Sequence, residues 1–302
     1  KSIDYNDYNY IINGNYGLIN NYNIKNNSNN DIKKVIEYKN NFYDIGHHLS
    51  HASSSFYSSN FEKSLIICID GHGHENINYY TDNNIKRSFN DIKHVYLTPI
   101  CFSIFEGNNN KIKDLNMYKF SWGKWNRHMI GYLYQILTMA ILNINKEGKE
   151  GSVMAMASVG KPKFKNLIYD ILNNKYGINK NELRKIIQKI ISENKEYAFD
   201  IASSLQCVVE EVFCDIVKPY IINYENVCFS GGFSLNCVII GKIKQWFPNI
   251  KNIHCDPVPY DGGLCIGASF YLWNHILNNK RTKWDSGCLT PYLGKTYSKE
   301  EV

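Results

Sequence analysis

The sequence predicts an α/β fold in which a mostly parallel sheet is layered with helices. Three stretches support this prediction, because each runs from an apolar strand into a glycine turn: "FEKSLIICIDGHG", "NVCFSGG" and "NIHCDPVPYDGG". Ligands of such sheets bind at the carboxyl ends of the strands. Asp70, Gly231–Gly232 and Asp261 lie at or just beyond the three strand ends, so they mark the expected site.

The remaining elements follow in the order that an α/β fold requires. A buried strand, Leu65 to Ile69, is followed by further strands over 72–100 and a helix over 129–145. Apolar residues then recur at helical spacing in two segments between 180 and 222. The "SGG" turn leads into the helix "SLNCVIIGKIKQWF", and the last strand and loop lead into a helix from Gly262.

The charge balance, the cysteines and the apolar stretches of the chain argue against some classes of function. The chain has 302 residues, with 34 Lys+Arg against 28 Asp+Glu, and this excess is too small to indicate a nucleic-acid partner. Nine cysteines occur without a C-x-x-C pair, which predicts a reducing compartment and hence a cytoplasmic location. No signal peptide and no apolar stretch long enough to cross a bilayer is recognised, so no membrane association is expected.

The histidines of "GHHLSHASSSFYSS" are the first candidate ligands. His47 and His51 are four residues apart, so on a helix they share one face. The spacing alone is weak evidence, and His47 as a helix cap with His51 as a satisfied polar residue is the simpler alternative. Asp70 and Asp261 would complete a mixed nitrogen and oxygen site, which suits iron, manganese or zinc better than magnesium.

Other histidines receive weaker interpretations. His48 is expected to bond a neighbour, because adjacent helical residues point to different faces. His72 and His74 in "DGHGHE" are interpreted as an exposed polar turn, and Glu75 is the acidic residue of that stretch.

The turn "FSGGFSLN" is the candidate phosphate site. Gly231 and Gly232 allow backbone N–H groups to approach a phosphate, the next helix presents its positive end, and Asn236 could bond a nucleotide. A plain strand–turn–helix junction explains the same residues equally well. Gly262 in "DGGLCIGA" has the same two interpretations, whereas Gly267 and Ala268 are expected to allow close helix packing.

Six blocks together resemble a known family in order and spacing. They are "HHLSHASSSFY", "IICIDGHG", "GSVMAMASVGKP", "IASSLQCVVEE", "CFSGGFSLNC" and "PYDGGLCIGASFY". Over residues 42–300 they resemble the ATP-dependent O-carbamoyltransferases of the nodulation and antibiotic-tailoring type, which are similar to the tRNA threonylcarbamoyl transferases. The resemblance implies an actin/Hsp70-like fold of two α/β lobes around a cleft.

The resemblance also divides the chain. Residues 1–41, with thirteen asparagines, are interpreted as a low-complexity remainder of the N-terminal lobe. Residues 42–290 form the carbamoyl-transfer domain, and 291–302 begin the connection to a C-terminal lobe. Because a "HDSSA"-like opening and that second lobe are not found, the chain is expected to be truncated at both ends. "DGHGHE" also departs from the family's shorter "DG-x-GE", which displaces the acidic residue to Glu75.

The resemblance further implies a chemistry. His47, His51, Asp70 and Asp261 would bind a divalent metal, Fe²⁺ first and Mn²⁺ or Zn²⁺ otherwise. Gly231, Gly232, Asn236 and Gly262 would hold carbamoyladenylate, which is made from carbamoyl phosphate and ATP with Mg²⁺. The hydroxyl of a small-molecule alcohol would then attack the carbamoyl carbon, and AMP would leave. No general base is assigned, and His48 is a weak candidate.

Two alternatives stay open at this point. One is a tRNA threonylcarbamoyl transferase-like enzyme. The small excess of basic residues and the motifs "HHLSHAS" and "GGFSLNC" argue against this alternative. The other is a non-catalytic remnant that keeps the fold and the metal site but only binds a partner. The interpretation also allows a homodimer.

Overall fold

The computed structural model describes residues 11–13, 42–75, 86–87 and 98–285, with the isolated positions 289, 298 and 300. The segment 1–41 is described only at 11–13, and the segment 291–302 only at two positions. The interpretations of these two segments therefore stay predictions.

Eight strands form two sheets within the described residues. They are β1 (Ile11–Asn13), β2 (Phe42–Asp44), β3 (Lys63–Glu75), β4 (Lys86–Arg87), β5 (Thr98–Asn108), β6 (Lys111–Lys119), β7 (Asn226–Ser230) and β8 (Asn252–Cys255). The small sheet has the order β1-β2-β4, and the main sheet has the order β6-β5-β3-β7-β8.

The main sheet is mixed, and its parallel half carries the predicted site. β3 pairs in parallel with β7, and β7 with β8, whereas β3–β5 and β5–β6 are antiparallel. The predicted α/β class is confirmed. The antiparallel half arises because β5 and β6 are joined by a tight turn at Asn109, where φ is +51°, and such a short connection can only join antiparallel strands.

The helices agree with the sequence periodicity. They are α1 (His47–Ser58), α2 (Ile130–Ile141), α3 (Glu150–Ala157), α4 (Lys165–Leu172), α5 (Lys180–Glu193), α6 (Tyr197–Ile221), α7 (Cys237–Trp246) and α8 (Leu264–Phe270), which continues as a π-helix over Tyr271–Ile276. Short 3₁₀ turns, Gly232–Leu235 and Asp261–Gly263, precede α7 and α8. None of the helices in the described part of the chain has the length and apolarity that a bilayer crossing needs.

β3 is the centre of the fold because it is buried on both faces. Leu65, Ile67 and Ile69 belong to the core formed with α2 and α6. Ile66 and Cys68 belong to a second core formed with α1 and α8. This is the alternation that a central strand shows, and it places helices on both faces of the sheet.

The ladder between β3 and β5 is interrupted where the site begins. Ile69 pairs with Phe102 and the next pair is Gly73 with Ile100, so residues 70–72 form a bulge. Bulges redirect side chains at the edges of functional sites. Here the bulge takes Asp70 and His72 out of the regular ladder.

α1 and α8 approach closely at Gly267. A Cβ atom at this position would overlap the carbonyl oxygen of Ser50 and lie 3.0 Å from the nitrogen of Ser54. Ala268 beside it is also buried. These contacts support the packing interpretation of Gly267 and Ala268.

Arg281, which follows the π-helix, forms hydrogen bonds at the carboxyl end of α1. The Arg281 guanidinium donates to the carbonyl oxygens of Phe56 at 2.9 Å, Ser59 at 3.1 Å and Phe61 at 2.6 Å. It also lies 4.3 Å from the centre of the Phe56 ring. The Phe56 carbonyl oxygen also accepts from the Ser59 hydroxyl at 2.7 Å, so Arg281 and Ser59 together satisfy this end of the helix that carries the two predicted ligands.

We expect Gly267→Ala to lower the free energy of unfolding by about 1–3 kcal/mol, because the added methyl group forces α8 away from α1. Gly241→Ala is the matched control, since a Cβ atom there meets no other atom within 4 Å. That variant should gain about 0.5–1 kcal/mol from lower backbone entropy in the unfolded chain. Urea denaturation followed by circular dichroism measures both, and equal effects would contradict the close approach.

Candidate functional site

The structure brings the four predicted ligands together. His47 and His51 lie in the first turns of α1, Asp70 lies in the bulge of β3, and Asp261 begins the 3₁₀ turn before α8. One ligand atom from each residue lies within 4.8 Å of the others. His47 Nε2 is 3.0 Å from Asp70 Oδ2 and 3.4 Å from Asp261 Oδ1, and His51 Nε2 is 3.5 Å from Asp261 Oδ1. The helical spacing and the strand-end positions thus converge on one point.

These residues fit a divalent metal ion. Both ring nitrogens of His51 are buried and form no hydrogen bond with any described residue, and a buried polar atom without a partner costs about 1–3 kcal/mol. Two imidazoles and two carboxylates are a donor set that iron, manganese and zinc accept. The Asp261 side chain is 60% exposed, so the cluster is open to ligands on that side.

The histidines and carboxylates of the cluster shift one another's pKa values. Burial alone would lower the pKa of His47, but hydrogen bonds to Asp261 and Asp70 raise it to about 10. For Asp70, burial would raise the pKa, yet the hydrogen bond and charge of His47 hold it below its usual range. Contacts with His47 and His51 lower the pKa of Asp261 in the same way. Both carboxylates therefore stay ionised beside a protonated His47, and a metal ion that binds to His47 would have to displace this proton.

Glu75 fixes the first turn of α1, a role that the sequence did not reveal. Gly46, which precedes the helix, provides no side-chain cap. The fully buried Glu75 carboxylate instead accepts hydrogen bonds from the backbone N–H groups of His48 and Leu49. A carboxylate is favourable at this positive end of the helix. The displaced acidic residue of "DGHGHE" thus supports the turn that carries His47.

The neighbouring histidines lie in different surroundings. His48 is fully buried and its Nδ1 atom is 2.9 Å from the Ser103 hydroxyl, as the expectation of a neighbouring partner requires. Burial lowers the pKa of His48 well below its usual value, and the side chain has no exposed surface with which to meet a substrate. The expectation of an exposed polar turn for His72 and His74 is wrong, because both lie in β3 and are half-buried.

The glycine turn after β7 adjoins the cluster. Gly231 has φ of +83° and a Cβ atom there would overlap the carbonyl oxygen of Ile69, so only glycine fits. The N–H of Gly232 donates to Asp70 Oδ1 at 3.3 Å. Asp70 therefore bonds the glycine turn with one oxygen and His47 with the other.

Asn236 and Gly262 have partners within the protein. Asn236 Oδ1 accepts from the backbone N–H of Ile239 at 3.2 Å, which caps α7, and Asn236 Nδ2 donates to Gln206 Oε1 at 3.0 Å. At Gly262, a Cβ atom would meet the Tyr260 ring at 2.7 Å. The two residues thus shape the turns on either side of the cluster, and their contact with a nucleotide stays a prediction.

Comparisons with known proteins agree with this arrangement of motifs. Residues 5–270 match the family model described as the carbamoyltransferase N-terminus. An uncharacterised protein of Synechocystis sp. is 26% identical over 282 residues, covering 85% of this chain and 40% of the relative. The nodulation protein NolNO of Sinorhizobium fredii is 26% identical over 245 residues, covering 77% of this chain and 31% of that protein.

The solved structures to which the chain is similar are more distant in sequence. The (R)-2-hydroxyglutaryl-CoA dehydratase component A of Acidaminococcus fermentans has 11% sequence identity and a TM-score of 0.45, covering 82% of this chain and 73% of that chain. The chain spans less than half the length of the two relatives that it matches in sequence.

We expect His51→Ala to weaken metal binding by at least about tenfold, because it removes a buried ligand whose two ring nitrogens form no hydrogen bond with any described residue. Metal content per chain, measured by elemental analysis after dialysis against Fe²⁺, Mn²⁺ or Zn²⁺, reports the change. His74→Ala is the control, since His74 lies on the same strand as Asp70 but outside the cluster. Equal metal content in the two variants would remove the assignment.

Proposed function

The chain belongs to the family of the carbamoyltransferase N-terminus, and from this premise we propose that it transfers a carbamoyl group from carbamoyladenylate to the hydroxyl of a small-molecule alcohol. One observation carries the proposal. The two-histidine, two-carboxylate cluster and the glycine turn share Asp70, whose carboxylate lies 3.0 Å from His47 and 3.3 Å from the N–H of Gly232.

In this proposal His47, His51, Asp70 and Asp261 hold the divalent metal, with Fe²⁺ expected first. A metal bound there would supply Lewis-acid polarisation of the carbamoyl group and would neutralise phosphate charge. The protein contributes rigidity, because His47 and His51 lie on a helix that Glu75 caps at one end and Arg281 fastens at the other.

The glycine turn binds the adenylate phosphate in this proposal. The N–H of Gly232 donates to Asp70 through a long hydrogen bond of 3.3 Å, which a phosphate oxygen could replace. The amino end of α7 follows directly and adds a positive partial charge. Gly231 permits the sharp turn, and Asn236 fixes the start of α7.

The transfer step has a simple balance. The acceptor oxygen forms a bond to the carbamoyl carbon, the bond from that carbon to the adenylate oxygen breaks, and AMP leaves with the electron pair. The hydroxyl proton is released to solvent. Formation of carbamoyladenylate from ATP, carbamoyl phosphate and Mg²⁺ is assigned to a separate C-terminal lobe, as the family resemblance implies.

We expect Gly232→Val to weaken AMP binding by about tenfold or more, because a branched side chain displaces the phosphate from the N–H donors. Isothermal calorimetry with Mn²⁺ present measures the affinity. Leu235→Ala is the control, since this leucine lies in the same 3₁₀ turn and is 59% exposed. AMP affinity that is unchanged in Gly232→Val would remove the glycine turn from the proposal.

A complementation assay tests the division of labour. With ATP, carbamoyl phosphate and an acceptor alcohol present, the chain alone should release no AMP, and it should release AMP when the C-terminal lobe of a full-length relative is added. The gain should disappear with His51→Ala and persist with His74→Ala. AMP release by the chain alone would show that the division is wrong. Metal binding without AMP binding would favour the non-catalytic alternative.

A further inference from the structure

The bulge of β3 leads from the cluster to an aromatic pocket. His72 follows Asp70 by two residues, and its ring centre lies 4.9 Å from that of Phe120, 5.1 Å from that of Trp122 and 6.4 Å from that of Tyr132. Two positions along an extended chain span at most about 7 Å. His72 therefore lies between Asp70 in the cluster and three aromatic rings that line the pocket.

The pocket has the size of one ring-shaped group and is fixed in shape. Its volume is about 270 Å³, and its aromatic walls come from Phe120, Trp122, Trp125 and Tyr132. The Trp125 indole N–H donates to the carbonyl oxygen of Ile178 at 2.8 Å, which ties the two sides of the pocket together. Ligand sites are typically preformed concavities of this kind, lined by aromatic rings.

Trp122 is the unusual member, because it is 65% exposed although it packs against buried Phe120. A large indole left in water carries apolar surface that a ligand ring can cover. The exposed face of Trp122 thus provides the contact that an incoming ring would gain.

The rim of the pocket is basic. Lys124 and Lys180 both line it, and no acidic side chain does so among its described lining residues. Neither ammonium group forms an ion pair with a described residue. The rim therefore complements a negative charge on a ligand in the pocket.

We propose that this pocket binds the acceptor, and that the acceptor is an alcohol with a flat ring and an anionic substituent. The ring covers Trp122, the anionic group meets Lys124 and Lys180, and the hydroxyl points past His72 towards Asp70. The acceptor role of this molecule rests on the proposed function, whereas its binding in the pocket does not.

Three probes with one ring and different charges test the pocket: 4-(hydroxymethyl)benzoate, 4-methylbenzyl alcohol and 4-(aminomethyl)benzyl alcohol. Tryptophan fluorescence with excitation at long wavelength, checked by saturation-transfer NMR, gives the affinities. The anionic alcohol should bind about tenfold more tightly than the cationic one, since two partly solvated lysines contribute modestly. Equal affinities for the three probes would contradict the proposal that the acceptor carries an anionic substituent.

Two variants separate the ring contact from the charge contact. Trp122→Ala should weaken all three probes by about tenfold, the loss expected for one stacked ring. Its control is Trp273→Ala, because Trp273 is 53% exposed but lies on the π-helix outside the pocket. The double variant Lys124→Gln, Lys180→Gln should remove the preference for the anion and leave the neutral alcohol unaffected. Equal effects of the two tryptophan variants would contradict the binding of the probe ring against Trp122 in this pocket.

These binding measurements need neither metal nor adenylate, so their failure is distinguishable from failure of the proposed function. In the complementation assay with the anionic probe, Trp122→Ala should raise KM for the alcohol about tenfold and leave KM for ATP unchanged. A variant that lowers kcat with both KM values unchanged would contradict an acceptor role. The expected binding pattern without any transfer would overturn the acceptor role and the proposed function together.

Discussion

The contact of Asp70 with two partners is the constraint on which the site depends. One carboxylate oxygen lies 3.0 Å from His47 on α1, and the other accepts the N–H of Gly232 at 3.3 Å. This side chain therefore joins the central strand, the helix of the histidines and the turn after the neighbouring strand. Its position is fixed by the core, because the residues before it on β3 are buried on both faces of the sheet. Any shift of β3 would separate the two halves of the site.

Helix α1 is fixed by contacts at both ends and along its length. Glu75 caps its first turn, Arg281 donates to the Phe56 carbonyl oxygen in its last turn, and the Ser55 hydroxyl donates to the carbonyl oxygen of Phe229 on β7 at 2.9 Å. The close approach at Gly267 brings α8 against α1, so the turn before α8 can place Asp261 within 3.5 Å of His51. The distance between His51 and Asp261 thus depends on helix packing rather than on the sheet.

The sequence predicted the parts of this arrangement that depend on local pattern. A four-residue spacing defines one face of a helix, and carboxyl ends of parallel strands share one edge, so His47, His51, Asp70 and Asp261 could be placed together before the structure was known. Glu75 as the cap of α1 could not be predicted, because the contact joins residues 27 positions apart and leaves no periodic signal. The helix-capping role of Asn236 was missed because an asparagine after a glycine turn suits a ligand and a cap equally well. His72 was misplaced because the glycines around it indicated a turn, whereas the structure extends β3 to Glu75 through a bulge.

The bulge gives the proposals a common geometry. It removes Asp70 and His72 from the ladder to β5, so both are free to face the site although they belong to one strand. On the Asp70 side lie the glycine turn and the amino end of α7, which favour a phosphate. On the His72 side lie aromatic rings and two lysines, which favour a ring with a negative charge.

Two anionic ligands could approach the same cluster from these sides only if positive charge separates them. The ionised Asp70 and Asp261 would hold a divalent cation at that point, and such a cation would offset the repulsion between the ligands. In these proposals the two lysines therefore face an anionic group of the ligand, and the acidic cluster holds the cation that separates this group from the phosphate.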